Sequence, residues 1–535
     1  MGQPTANAAP PASHTQRVAR AAGVVMIFFV LSRAMGLLRE VVIARQFGTS
    51  AELDAYLAAF RVPDLLFALV AGGALGSALI PVLADHLERG DERGAWRVAA
   101  AIINWVTLLL GLAAVLAAVT APVLVRTVIA PGFSPPQQAL TVELMRWMLI
   151  STVVFGASGV VMGILNARQH FLLPALAPVV YNLAIIMGAW WLGPSVGVRG
   201  AAAGVVAGAA AHLLVQLPAL RWLNVRYFPR LGRRDAAVHE VGRLMAPRAL
   251  GLAAVEINHV VNVALASGLA AGSLAALNYG RLMMLLPQGI IAQSIAIAAF
   301  PTFSALVARG QVEELRRVWH ATLRSVVYLT LPAAIGLIML RQPLVATLLQ
   351  RGAFDTRSSE ATAWALLFYA CGLLGHAVVE ITTRVFYALH DTRTPVIVGV
   401  AAMAANAVLS VLLMALFRHL EWAPHGGLAL ANTLATTAEM VVLMRLSGRR
   451  TGGLAHRRLV NALGRVGVGC VAMVMALLVV QSAFSGAPAW VLSGVGIVIG
   501  GGVYVLTTLA LRAEEPVRLA RGVWRRVRRP AAQPN

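Results

Sequence analysis

The chain reads as an all-α polytopic membrane protein of about fourteen transmembrane helices, and three observations carry that reading. Mean hydropathy is +0.76, with 59% apolar and only 12% charged residues over 535 positions. A soluble core needs far less apolar sequence than that. Apolar runs long enough to cross a bilayer recur along the chain, separated by charged or Gly/Pro-rich breaks. The basic residues, all of them Arg, collect in alternate breaks.

Taken in order, the runs fall at 21–46, 53–84, 98–126, 139–165, 173–193, 198–220, 242–268, 273–306, 320–348, 360–388, 395–417, 426–446, 462–484 and 488–511, fourteen in all. One set of alternate breaks holds thirty Arg, and the other holds five: Arg126, Arg199, Arg351, Arg357 and Arg418. The positive-inside rule then puts both termini in the cytoplasm, in agreement with an even number of spans. A net charge of +22 raises the question of nucleic acid, but topology accounts for most of the Arg, so no nucleic-acid partner is expected. Residues 1–20 are polar and carry no signal-peptide core, so the first run is expected to stay in the membrane as a span. The tail after 512 carries GVWRRVRRP, a basic segment suited to anionic lipid.

Pro, Gly, Arg and Trp recur in order at an offset of about 220 residues, as in a duplicated unit. Ile80–Pro81, Arg89–Gly90 and Trp96 answer Phe300–Pro301, Arg309–Gly310 and Trp319. PGF at 131–133 answers GAF at 352–354, and NARQHFLLP at 166–174 answers YALHDTRTP at 387–395. Two six-helix lobes related by pseudo-symmetry follow, with two further helices after them. The expected organisation is a polar cytoplasmic tail at 1–20, an N-lobe at 21–223, a basic cytoplasmic linker at 224–241, a C-lobe at 242–447, two extra spans at 448–511 and a basic tail at 512–535. Rocking of the lobes would open a central cavity to each side of the membrane in turn.

Charge inside the apolar runs marks where function should lie, since an Arg at the centre of a lipid-facing helix costs about 2.5–3.5 kcal/mol on insertion scales. In span one, Arg33, Gly36 and Glu40 share a helical face, with Arg39 turned about a third of the way round. In span two, Asp54 and Arg61 stand seven residues apart on one face, and Pro63 interrupts the ladder, an arrangement that suggests a gate and equally an interfacial cap. Arg281 enters span eight and would face the span-one arginines across the cavity. Guanidinium groups bind phosphate bidentately, so together they would form an anion clamp. Glu256, His259 and Asn262 in span seven, like His376 and Glu380 in span ten, could relay protons, coordinate a cation or simply pack by hydrogen bonding. The loop HDTRTP at 390–395 reads as a helix start. Cys371 and Cys470 lie in apolar segments and suggest no disulfide framework. With no Walker A run, no HExxH and no zinc-spaced cluster, the chain is not expected to be an enzyme or to hold a metal or cofactor.

The motifs SRAMGLLRE, FGTSAELDAYLAAFRVPDLL, YGRLMMLLPQG and FYALHDTRTP, in that order, resemble those of the MurJ (MviN) lipid II flippases of the multidrug/oligosaccharidyl-lipid/polysaccharide exporter superfamily. The resemblance spans roughly residues 20–510. It implies export of undecaprenyl-pyrophosphoryl-MurNAc-pentapeptide-GlcNAc from the inner to the outer leaflet of the bacterial inner membrane, for peptidoglycan synthesis. It makes Arg33, Arg39, Asp54 and Arg281 the essential charged residues, with Arg61 at the family's basic position before the Pro of span two. Together with the reading of the residues, Arg33, Arg39, Arg61 and Arg281 are expected to bind substrate, Asp54 and Glu40 to gate, and Glu256, His259 and Asn262 to couple a cation or proton. The two C-terminal spans would form a groove for the lipid tail. Asp64, Phe67, Gly72 and Met284 depart from the family pattern, which commonly has Asn, Arg, Glu and a nearby Glu or Gln there. Two alternatives stand beside this reading: a flippase for another polyprenyl-pyrophosphate-linked oligosaccharide, and a non-transporting scaffold for cell-wall enzymes. A drug antiporter would favour acidic rather than basic cavity residues.

Overall fold

The computed structural model describes residues 14–70, 74–453 and 456–516, and among them every regular element is helical. Gly72 lies outside the described residues, as do the first thirteen residues and the basic GVWRRVRRP segment. In chain order the helices are α1 (His14–Phe47), α2 (Ala51–Ala59), α3 (Arg61–Val70), α4 (Ala74–Glu88), α5 (Glu92–Leu124), α6 (Pro135–Ala167), α7 (Leu172–Met187), α8 (Gly193–Val196), α9 (Val198–Leu214), α10 (Leu217–Trp222) and α11 (Ala236–Ser267). There follow α12 (Ser273–Gln288), α13 (Ser294–Ala308), α14 (Val312–Met339), α15 (Arg341–Leu349), α16 (Thr356–Cys371), α17 (Leu373–Ala388), α18 (Arg393–His419), α19 (His425–Arg450), α20 (His456–Ala483) and α21 (Ala489–Ala510).

Ten helical stretches among the described residues are long and apolar enough to cross a membrane, and two bent pairs bring the number to twelve. The 34-residue α1 and the broken series α2–α3–α4 occupy the first two expected spans, consistent with about fourteen. Where the ladder breaks, the sequence supplies a reason. Pro122 and Pro287 each lack an amide proton, and each lies just before a π-helical turn, at Val125–Ile129 and Gly289–Gln293. The expected span at 320–348 divides at Leu340 into α14 and α15.

The chain forms two compact units. The first runs to Gln46 and takes in Ala58–Val125 and Pro135–Glu256; the second comprises Phe47–Leu57, Arg126–Ser134 and the chain from Ile257 onward. In the first, Trp96, Leu110 and Ile164 centre an apolar core of α4, α5 and α6. Gly200 and Gly204 of α9 let that helix approach α7 backbone to backbone, since a methyl on Gly204 would lie 2.8 Å from the Ala184 carbonyl oxygen. In the second, one core gathers around Phe303, Trp319 and Ile381, and another joins α20 and α21 to α14 through Tyr328, Met473, Leu477 and Tyr504.

The internal repeat is written into the backbone. Gly90 and Gly310 turn the chain at φ of 73° and 68°. The residues that follow, Asp91 and Gln311, start α5 and α14 at φ −86° with ψ of 67° and 63°. Trp96 and Trp319 are both buried, and Gln169 and His390 share a left-handed φ of 57° and 58°. Closely matched local geometry at these positions agrees with a duplicated unit.

Candidate functional site

Arg39 sits two turns before the end of α1, and its guanidinium is held on two sides. Nε and Nη2 donate to Glu40 Oε1 at 3.2 and 2.6 Å, and Nη1 donates to Asn182 Oδ1 of α7 at 3.1 Å. Asn182 is in turn fixed by donating to the Pro178 carbonyl at 2.9 Å. An intramembrane cation is thereby kept in a hydrogen-bonding environment and not in hydrocarbon. Glu40 partners Arg39 here, while Arg33 is exposed, with its guanidinium 5.3 Å from the Phe29 ring centre.

Asp54 and Arg61 do not share a helical face, because the chain breaks at Phe60 between α2 and α3. Arg61 stays in the first unit, 4.0 Å from Asp64, and Asp64 feels the charge of Glu256. Asp54 belongs to the second unit and is almost completely buried. Its two carboxylate oxygens accept the backbone N–H groups of Gly272 and Ala275 at 2.7 and 2.8 Å, so it caps the N-terminus of α12. Small residues let the chain come that close. Gly272 holds φ +86°, and any side chain there would run into the Thr49 carbonyl. Thr49 Oγ1 lies 2.8 Å from Ser358 Oγ, and the Gly132 amide donates to Ser267 Oγ at 3.0 Å. Asp54, Thr49 and Gly132 thus latch two short segments from the first half of the sequence onto the second unit.

Arg281 lies two turns into α12 and is exposed. Its Nη1 donates to His259 Nδ1 at 3.3 Å, which makes that ring nitrogen the acceptor. The Arg281 charge also reaches His376, whose Nε2 lies 3.2 Å from Asn432 Oδ1. On α11, Glu256 and His259 are half-buried, and Asn262 Nδ2 donates to the Asn258 carbonyl at 2.8 Å. Glu380, the other span-ten candidate, pairs with Arg384 at 2.5 Å. Of the departures from the family pattern, Met284 is buried, and Phe67 packs edge-on against Phe155 at 6.2 Å. The HDTRTP loop is structural: Asp391 accepts the Thr394 amide and hydroxyl at 3.0 and 2.6 Å and pairs with Arg450.

Sequence reasoning missed Asn182 as the partner of Arg39, because a lone amide in an apolar run marks a polar position without saying what it binds. It also missed Glu256 as a neighbour of Asp64, for which the sequence carries no local sign.

The family model described as "Lipid II flippase MurJ" matches residues 43–500. A lipid II flippase MurJ from Burkholderia cenocepacia is 31% identical over 403 residues, 73% of this chain and 77% of that one. A probable lipid II flippase MurJ from Vibrio cholerae is 29% identical over 483 residues, 87% of this chain and 89% of its own. Among solved structures, a lipid II flippase MurJ in an inward closed conformation superposes with a TM-score of 0.77 at 23% identity, covering 91% of this chain and 98% of that one. An inward-facing multidrug transporter of the MATE family shares the fold at a TM-score of 0.64 and 17% identity, over 80% of this chain and 98% of its own. With a family model matched over most of its length and a relative 31% identical across 73% of it, the chain belongs to the MurJ lipid II flippase family.

Proposed function

We propose that this protein is a lipid II flippase that carries the polyprenyl-pyrophosphate-linked peptidoglycan precursor from the inner to the outer leaflet of the bacterial inner membrane by alternating access. The observation that supports this best is a set of arginines kept polar inside apolar helices of a chain from this family, above all Arg39 on Glu40 and Asn182, and Arg281 on His259. A pyrophosphate offers each guanidinium the bidentate acceptor geometry it fits best. On this reading Arg33, Arg39, Arg61 and Arg281 are the residues that engage the headgroup. Glu40 serves as the counter-charge that the phosphate displaces from Arg39.

Asp54 is the gate residue in this scheme. Its hold on the α12 N-terminus keeps the latch seated, and releasing it frees the segment Phe47–Leu57 to move. Outward movement of a polyanion is favoured by an inside-negative potential, at about 2.3 kcal/mol per charge per 100 mV. Return of the emptied carrier moves its arginines with no such compensation, so an inward cation or proton near Glu256, His259 and Asn262 drives that half-cycle. The two C-terminal helices, docked on α14 through the Tyr504 hydroxyl to the Tyr328 carbonyl at 2.7 Å, provide the surface for the lipid tail.

Complementation tests the assignment. In a strain depleted of its own lipid II flippase, the wild-type chain should restore growth, whereas Arg39→Ala and Arg281→Ala should not, at equal membrane abundance. Full growth with both variants would remove the anion clamp.

A further inference from the structure

Within the first unit, the basic linker and the start of α11 enclose with α3 and α5 an apolar cavity of about 760 Å³. The linker is strapped down by side chains of α5. Asn104 Nδ2 donates to the Arg230 carbonyl at 2.9 Å, Trp105 Nε1 donates to the Leu231 carbonyl at 2.8 Å, and the Tyr227 hydroxyl donates to Asn104 Oδ1 at 2.6 Å. The strap turns at Gly232, φ +57°, and delivers Arg233 to within 5.8 Å of the Trp105 ring centre. One turn apart on α11, His239 and Arg243 line the same cavity. Below this cationic and aromatic rim the walls are hydrocarbon, including Ile102, Val106 and Leu109.

Basic groups and an indole at the mouth of an apolar space are the complement of an amphiphile with an anionic phosphate head. Size selects among amphiphiles: at about 30 Å³ per methylene-sized group, the share of one water, the cavity holds about 25 such groups. That takes most, though not all, of the acyl carbon of a two-chain phospholipid and a smaller share of a long polyprenyl tail. We propose that this cavity is a binding site for one anionic phospholipid, its phosphate on Arg233 and Arg243 and its acyl carbons along α3 and α5. Its occupant joins the linker to the transmembrane core at the point where α11 begins, so lipid composition sets the rigidity of that junction.

Gly242 provides a clean test, because a side chain built on it meets nothing within 4 Å and would project into open space. The full chain, purified in detergent, is titrated with palmitoyl-oleoyl phosphatidylglycerol or the matching phosphatidylcholine and read by native mass spectrometry. High salt strips lipid held by surface charge alone. The wild type should retain one phosphatidylglycerol about tenfold more strongly than phosphatidylcholine, and Arg233→Ala with Arg243→Ala should lose that preference. Gly242→Trp, which sets an indole in the open space of the cavity and leaves both arginines in place, should weaken retention of the bound lipid. Equal retention of the two lipids by the wild type, or phosphatidylglycerol retention unchanged in either variant, would overturn the site.

Discussion

Arg39 is held by a charged and a neutral acceptor at once, which separates two properties of the side chain. Glu40 balances the charge, while Asn182 at 3.1 Å aims the fork. Arg39→Lys keeps the charge but loses the planar donors, so it should restore growth poorly, and Asn182→Leu, which leaves the charge pair, should give an intermediate rate. Equal growth of the wild type, Arg39→Lys and Asn182→Leu would show that fork geometry is irrelevant. Arg33, Arg39, Arg61 and Arg281 could all be picked out in the sequence, since a charge within an apolar run is expensive. Asn182 could not be separated from an ordinary packing amide, and the acceptor role of His259 depends on a neighbour twenty-two residues away.

Helix ends govern the next scale. Asp54 satisfies two amides at the start of α12, a helix that begins more than two hundred residues later, and such partners leave no trace in a sequence because every residue but proline carries the same N–H. Asp54→Ala should lower stability by about 1–2 kcal/mol, with Asn in between, as measured by thermal unfolding in detergent. No loss would mean the latch is not held by this cap. Asp391 acts locally on α18. The Thr394 hydroxyl and amide, with help from Arg450, hold its carboxyl below the usual carboxylate range. Its contribution is therefore complete above the unfolded carboxylate range near pH 4 and is lost as the pH falls further. Asp391→Asn should melt below the wild type at neutral pH and converge with it in strong acid; a constant gap would contradict the cap. Span boundaries followed hydropathy closely, whereas the breaks at Phe60 and Leu340 did not, because they reflect tertiary placement of short helices within continuous apolar sequence.

At the scale of the whole molecule, the thirty-to-five division of Arg is the ground for the proposed orientation, with both termini in the cytoplasm. In a background with Cys371 and Cys470 replaced, a cysteine near Gly352 should react with an impermeant thiol reagent in intact cells, and one near Arg233 should not. The reverse pattern would invert the orientation. The all-helical class and the duplication were both readable from hydropathy and from recurring Pro, Gly and Trp. The assignment of Phe47–Leu57 and Arg126–Ser134 to the second unit was not, since it depends on close backbone approach at Gly48, Gly132 and Gly272. If the field drives the loaded step, collapsing the membrane potential should slow export, and Glu256→Gln with His259→Ala should slow it further where protons are coupled. Export at full rate with neither potential nor ion gradient would exclude both. The most direct test of transport itself is leaflet-resolved measurement of lipid II after depletion of this protein. The account predicts that lipid II accumulates in the inner leaflet, falls in the outer one, and is redistributed by wild-type protein but not by Arg281→Ala. An unchanged ratio between the leaflets through depletion would contradict it.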